Sequence, residues 1–184
     1  DYTKDELRKI AGLSGLPVAK KKDSQDICFI PDGNYAGFIE EQAGTLGLPG
    51  SFTDKSGRVL GPHKGTAAYT VGQRKHLGIS AAEPLYVCSI DPLSGNIALG
   101  PGKDTLCSTL SAGNLYYQGE ERFREGERYM AKIRYSKEAF PCHIEYSGEG
   151  TLKAVFEESV KIAAPGQALV LYKDGWIAGG GTVF

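Results

Sequence analysis

Apolar residues recur at helical spacing in only two stretches of this chain. Leu7, Ile10 and Ala11 follow Thr3-Lys4-Asp5-Glu6, where Thr and Glu have capping-box spacing, so a short amphipathic helix is predicted, interrupted at Gly12 and Gly15 and ended by Pro17. Tyr35, Phe38, Ile39 and Gln42, at i, i+3, i+4 and i+7 after a capping Asn34, predict a second helix. Between them, Lys20-Lys21-Lys22 leads through Asp23-Ser24-Gln25-Asp26 into the apolar run Ile27-Cys28-Phe29-Ile30, which is too short to assign to strand or buried turn. The apolar face of the second helix is expected to pack beneath Cys28.

After Gly50 the period shortens. Ser51-Phe52-Thr53 and Arg58-Val59-Leu60 flank Asp54-Lys55-Ser56-Gly57 and predict a hairpin, so residues 1–80 read as a small mixed α/β domain. Ser80–Glu83 is small and polar, the expected linker. In the remainder, 84–184, apolar runs at Leu85–Ile90, Asn96–Leu99, Gly126–Arg134, Cys142–Tyr146, Leu152–Phe156, Ala168–Tyr172 and Trp176–Ala178 alternate with turn residues. Ser147-Gly148 and Lys173-Asp174-Gly175 suit hairpin turns, and Pro165-Gly166 a type II turn. Such spacing fits an antiparallel sandwich or barrel, of which the barrel leaves no open edge. The fold class expected is α+β, mainly β.

Composition narrows the function. With 41% hydrophobic and 23% charged residues, neither disorder nor a fibrous repeat is indicated. No apolar stretch approaches the ~20 residues of a membrane span, and no leader pattern opens the sequence, so a cytoplasmic location without membrane contact is expected. The chain starts at Asp1 and its one methionine is Met130, from which further residues upstream are expected. A net charge of −1 confines any RNA contact to a local patch. The cysteines Cys28, Cys88, Cys107 and Cys142 form no C-x-x-C, and His63, His76 and His143 are equally scattered, so neither a metal site nor a disulfide framework is expected.

Cys88, Cys107 and Cys142 read as small core hydrophobes. Cys28 differs in its flanks: three lysines upstream and a helix start downstream favour thiolate, while Asp23 and Asp26 act against it. Charge alone therefore leaves a core role and a nucleophile both open. Gly61-Pro62-His63-Lys64-Gly65 and Thr70-Val71-Gly72-Gln73-Arg74-Lys75 read either as tight turns with solvated charges or as backbone brought close to a ligand, and they lack the phosphate-cradling P-loop pattern. Lys132-Ile133-Arg134-Tyr135 sets a guanidinium beside an aromatic ring at a strand end, a pair suited to phosphate and base, or an ordinary strand end. Gln167, after the Pro165-Gly166 turn, is open to the same two readings.

Taken in order, Leu16-Pro17-Val18-Ala19-Lys20-Lys21-Lys22-Asp23-Ser24-Gln25-Asp26-Ile27-Cys28-Phe29-Ile30-Pro31, the Gly-x-His-x-Gly element, Thr70–Lys75, Pro84-Leu85-Tyr86-Val87, Ile133-Arg134-Tyr135, Pro165-Gly166-Gln167 and Gly179-Gly180-Gly181 closely resemble the tRNA-specific 2-thiouridylases, the MnmA/TrmU family. The resemblance implies the C-terminal part of such an enzyme, a central domain and a barrel like those of translation factors. The N-terminal PP-loop domain, with its Ser-Gly-Gly-x-Asp-Ser motif and first catalytic cysteine, has no counterpart here. The implied reaction replaces the C2 oxygen of the wobble uridine in tRNAs for Lys, Glu and Gln with sulfur, after ATP with Mg adenylates that oxygen on the missing domain; this chain alone is expected to bind neither.

By the same resemblance Cys28 carries the incoming sulfur as a persulfide received from a sulfur-relay protein or cysteine desulfurase. Sulfur is delivered directly, with the missing cysteine then forming a disulfide with Cys28, or as hydrosulfide. Arg134, Tyr135 and Gln167 match positions the family places near tRNA, and Asp23, Ser24, Asp26, His63, Gln73, Arg74 and Lys75 stand where site-supporting residues fall. His76 departs from a usual glycine, Pro62 from a common acidic residue and Ser159 from a common proline. Two alternatives remain: an RNA-binding module without catalytic thiol, and a cysteine hydrolase with Cys28 paired to His63 or His143.

Overall fold

The computed structural model describes residues 2–20, 29–30, 32–120, 122–134, 138–148 and 150–184. Both predicted helices form. In α1 (Lys4–Leu13) Thr3 Oγ1 accepts from Glu6 N, and the Glu6 carboxylate accepts from Thr3 N at 2.7 Å, the reciprocal capping box. None of its residues is buried, so Leu7, Ile10 and Leu13 leave its apolar side open. In α2 (Tyr35–Ala43) Asn34 Oδ1 accepts from Gly37 N at 3.0 Å, and Gly44, at φ 71°, ends the helix.

Strands β1 (Gly50–Thr53) and β2 (Val59–His63) form the expected hairpin. Its turn is held by Asp54, whose Oδ1 accepts from Ser56 N, Ser56 Oγ and Arg58 N, bonds that draw the carboxyl below its ordinary pKa. Strands β3 (Tyr86–Ile90) and β4 (Ile97–Gly100), expected to open the barrel, join this hairpin instead, β4 lying parallel to β1 in the order β2-β1-β4-β3. The reason is burial. Phe52, Val87, Ile97 and Leu99 are fully enclosed together, with Leu60, Tyr69, Val71 and Ile79 packed around them, and that core needs all four strands.

The remaining six strands close on themselves: β5 (Leu106–Tyr117), β6 (Arg128–Lys132), β7 (Phe140–Gly148), β8 (Thr151–Lys161), β9 (Ala168–Lys173) and β10 (Trp176–Val183), in the order β10-β5-β8-β7-β6-β9. Every pairing is antiparallel. The expected barrel is therefore present, and alternation explains its interior: Tyr129 and Ala131, Cys142 and Ile144, Leu152 and Ala154, Leu169 and Leu171 point inward two by two from four strands. Asp174, at φ 52°, and Gly175 make the tight turn between β9 and β10.

Within β10 the run Gly179-Gly180-Gly181 has a steric cause. A Cβ on Gly180 would overlap the carbonyl oxygen of Leu169 on β9, so only glycine lets the two backbones approach as they do.

A polar knot closes one end of the barrel. The Tyr129 hydroxyl donates to Glu127 Oε2 at 2.6 Å and accepts from Arg124 N, and Lys173 Nζ lies 2.6 Å from Glu127 Oε1. Burial, and then the bond to Glu127, push the Tyr129 hydroxyl up to about 12. The bonds from Lys173 and then Tyr129 hold the Glu127 carboxyl below its ordinary value of 4.5. Because the folded state lowers this pKa, its contribution is complete above the unfolded value and is lost as pH falls through the folded one. Glu127→Gln is thus expected to melt below wild type at pH 7, with the gap closing as pH drops beneath 4.5. Melting curves across that range check this; a gap constant with pH contradicts it.

Candidate functional site

Cys28, Asp23, Ser24 and Asp26 lie outside the described residues, as does Tyr135. Two neighbours mark where the cysteine run ends: Ile30 is buried, and the Phe29 ring sits 5.4 Å from that of Phe38 on α2. The expected packing of α2 beneath Cys28 itself lies outside the described residues; α2 meets Phe29.

The other thiols are placed as core residues. Cys142 is fully buried inside the barrel, and burial pushes its thiol up to about 12. Cys88 and Cys107 are partly buried, and burial is the first cause raising each of them as well. None of these three is disposed to be a thiolate at neutral pH.

His63 ends β2 inside an aromatic cluster, its ring 5.1 Å from Phe52 and 5.5 Å from Tyr69. Its Nε2 lies 2.8 Å from the Gly95 carbonyl oxygen, which requires the proton on that nitrogen and leaves the buried Nδ1 without a partner among the described residues. His63 thus ties the end of the β1–β2 hairpin to the turn between β3 and β4. His143 stands elsewhere, half-exposed on β7, with Nε2 3.8 Å from Glu145.

Gln73 shapes its own loop. Its Oε1 accepts from Thr70 N at 3.0 Å, its Nε2 donates to Lys75 O at 2.9 Å, and Gly72 N and Gln73 O bond across to Val87 on β3. Stitched down in this way, the loop presents Arg74 and Lys75 to solvent. The next residue, His76, adopts φ 63°, a conformation glycine accepts freely and other L-residues resist. His76→Val is accordingly expected to cost about 1–2 kcal/mol while His76→Gly stays within about 1 kcal/mol of wild type. Urea midpoints measure both, and equal stability of all three proteins refutes the strain.

Arg134, just past β6, reaches over to this loop. Its Nη2 donates to Ile162 O at 2.6 Å, and a Cβ placed on Gly72 would lie 3.2 Å from that nitrogen. Two separate sequence motifs therefore meet where the first sheet adjoins the barrel. Gln167 follows the turn in which its N–H donates to Ala164 O and Gly166 takes φ 87°, and its Oε1 accepts from Ala164 N. Arg134 and Gln167 line one groove of about 370 Å³ with Lys132, Val170 and Tyr172. His63 is not part of that groove. Tyr172 carries no motif of its own; outward alternation along β9, with Leu169 and Leu171 pointing in, is the signal that finds it.

Three family models match in order: tRNA methyl transferase HUP domain at residues 1–32, tRNA methyl transferase PRC-barrel domain at 36–101 and Aminomethyltransferase beta-barrel domain at 107–183. The chain is 43% identical over 183 residues to the tRNA-specific 2-thiouridylase MnmA of Lachnoclostridium phytofermentans, covering 100% of this chain and 51% of that protein. With MnmA of Clostridioides difficile it shares 39% over the same length, 51% of that protein, and with MnmA 1 of Syntrophus aciditrophicus 42%, 48% of that protein. The chain thus spans about half the length of the curated relatives it matches.

Proposed function

Because the chain belongs to the tRNA-specific 2-thiouridylase (MnmA) family, we propose that it is the sulfur-presenting, RNA-contacting part of an enzyme that thiolates the wobble uridine of tRNAs for Lys, Glu and Gln. The match along the entire chain to proteins of that name carries the reading. Two of the matched models are described as methyl transferase domains, but a thiol in the cysteine motif suits sulfur transfer directly.

Cys28 is the sulfur carrier. A relay protein or cysteine desulfurase loads it to a persulfide, and the terminal sulfur attacks C2 of the activated uridine; the C2–S bond forms, the C2–O bond breaks, and the oxygen leaves with the adenylate attached to it. A second cysteine thiolate, from residues outside this chain, then attacks Cys28 Sγ; the disulfide forms and the S–S bond to the base breaks, leaving sulfur on C2. The high pKa of Cys142 and the raised values of Cys88 and Cys107 support Cys28 in this role.

Activation of the uridine oxygen belongs to ATP and Mg. That chemistry is assigned to the half of the curated relatives' length that this chain does not span. Helix α1 lies within the residues 1–32 that match the tRNA methyl transferase HUP domain, and its open apolar side, with Leu7, Ile10 and Leu13, supports packing against the rest of that domain. Arg134 and Gln167, on one groove beside Gly72, hold the tRNA, and Tyr135 is assigned the same role from its place in the Ile133-Arg134-Tyr135 motif alone. Asp23, Ser24 and Asp26 flank the carrier thiol in the same motif, while Gln73 fixes the loop that presents Arg74 and Lys75, and His63 ties the β1–β2 hairpin to the β3–β4 turn.

The test is to incubate the full-length enzyme with tRNA, ATP, Mg, cysteine and a desulfurase, then digest the tRNA and weigh its nucleosides. ATP-dependent 2-thiouridine is expected; unmodified uridine contradicts the reading.

A further inference from the structure

The groove beside Arg134 is walled by the outer faces of β6 and β9. Outward positions alternate along β6 as Met130 and Lys132 and along β9 as Ala168, Val170 and Tyr172. Register aligns them into a row: Met130 opposite Tyr172, and Tyr172 opposite Ile177 on β10. Met130 is 40% exposed and Ile177 48%, so this row is an apolar strip left open to water. Next to it Lys132 Nζ stands 5.4 Å from the centre of the Tyr172 ring.

Charge chooses the occupant. The seven residues lining the groove include two cations, Lys132 and Arg134, and no carboxylate, on a chain whose net charge is −1. On the neighbouring segments, Glu127 is bound by Lys173 and Tyr129, and Asp174 sits in the β9–β10 turn. A local cationic groove with an aromatic ring in its wall suits a polyanion carrying flat apolar groups.

We infer that the outer face of β6, β9 and β10 is an RNA-binding surface, with Lys132 meeting a backbone phosphate and Tyr172 stacking on a nucleobase or packing on its ribose. This extends the contact proposed for Arg134 and Gln167 by about one nucleotide along the strand, and it rests on that RNA-binding reading.

The experiment measures binding of fluorescently labelled tRNA to the full-length enzyme at several salt concentrations. Lys132→Gln is expected to weaken binding about three- to tenfold and to reduce the slope of log affinity against log salt by about one phosphate's worth. Tyr172→Ala is expected to weaken it about tenfold with the slope unchanged, and Tyr172→Phe to restore it. Both positions face outward, so melting temperatures report that the variants fold. Arg134→Gln separates the two readings. If it weakens binding while Lys132→Gln and Tyr172→Ala do not, this surface is excluded and the RNA-binding reading stands. If none of the three weakens binding, both fall. Unchanged tRNA affinity with an altered oligomeric state in Tyr172→Ala makes the strip a protein interface and overturns the inference.

Discussion

Cys28→Ser in the full-length enzyme is expected to lower tRNA thiolation by at least about a thousandfold while leaving tRNA affinity within about twofold. A serine hydroxyl is close in size to the thiol but forms no persulfide, so the substitution removes the sulfur chemistry with a small change in shape. The other three thiols offer no substitute. Cys142 is enclosed in the barrel with its thiol pushed up to about 12, and Cys88 and Cys107 are raised by burial. Single-turnover thiolation and equilibrium tRNA binding, measured side by side, check this. Retained thiolation removes Cys28 as the carrier; loss of binding together with activity turns the chain into an RNA-binding module whose cysteine is structural.

The second large effect is on stability. Gly180→Ala puts a methyl group into the carbonyl of Leu169, a backbone atom that moves only if β9 and β10 separate. We expect a loss of about 3 kcal/mol, a melting temperature lower by about 6–12 °C for a chain of this size. Leu169 and Leu171, enclosed in the barrel core, leave β9 no slack. Thermal unfolding followed by circular dichroism measures the change, and a shift under about 2 °C contradicts the close approach.

Several of these elements are legible in the amino-acid sequence alone. Capping residues and helical spacing mark α1 and α2 because they act within one or two turns of chain. Likewise Asp54–Gly57, Asp174-Gly175 and Pro165-Gly166 are turns decided by residues within four positions. Strand β5 escapes the pattern: Ser108, Thr109, Ser111, Gly113 and Asn114 dilute its alternation, which burial reveals only at Leu110 and Ala112. The membership of β3 and β4 is also hidden, since the pairing of Phe52 with Ile97 joins residues distant in the chain through a shared core.

The candidate site divides along the same line. Arg134 and Gln167 are individually visible, but their place on one groove and the approach of Arg134 to Gly72 depend on how the barrel closes. Conversely, Gln73 reads as a candidate for ligand contact, and the fold engages both ends of its amide with its own loop. Cys28 is not legible from charge, with lysines and aspartates opposed around it; the order of motifs along the chain singles it out.

The function proposed for this chain therefore rests on one sulfur atom. The chain, incubated with a cysteine desulfurase and cysteine and digested without reductant, is to be mapped by mass spectrometry over the peptides containing Cys28, Cys88, Cys107 and Cys142. One added sulfur is expected on the Cys28 peptide and none on the others; sulfur on another cysteine with Cys28 unmodified rules out Cys28 as the carrier.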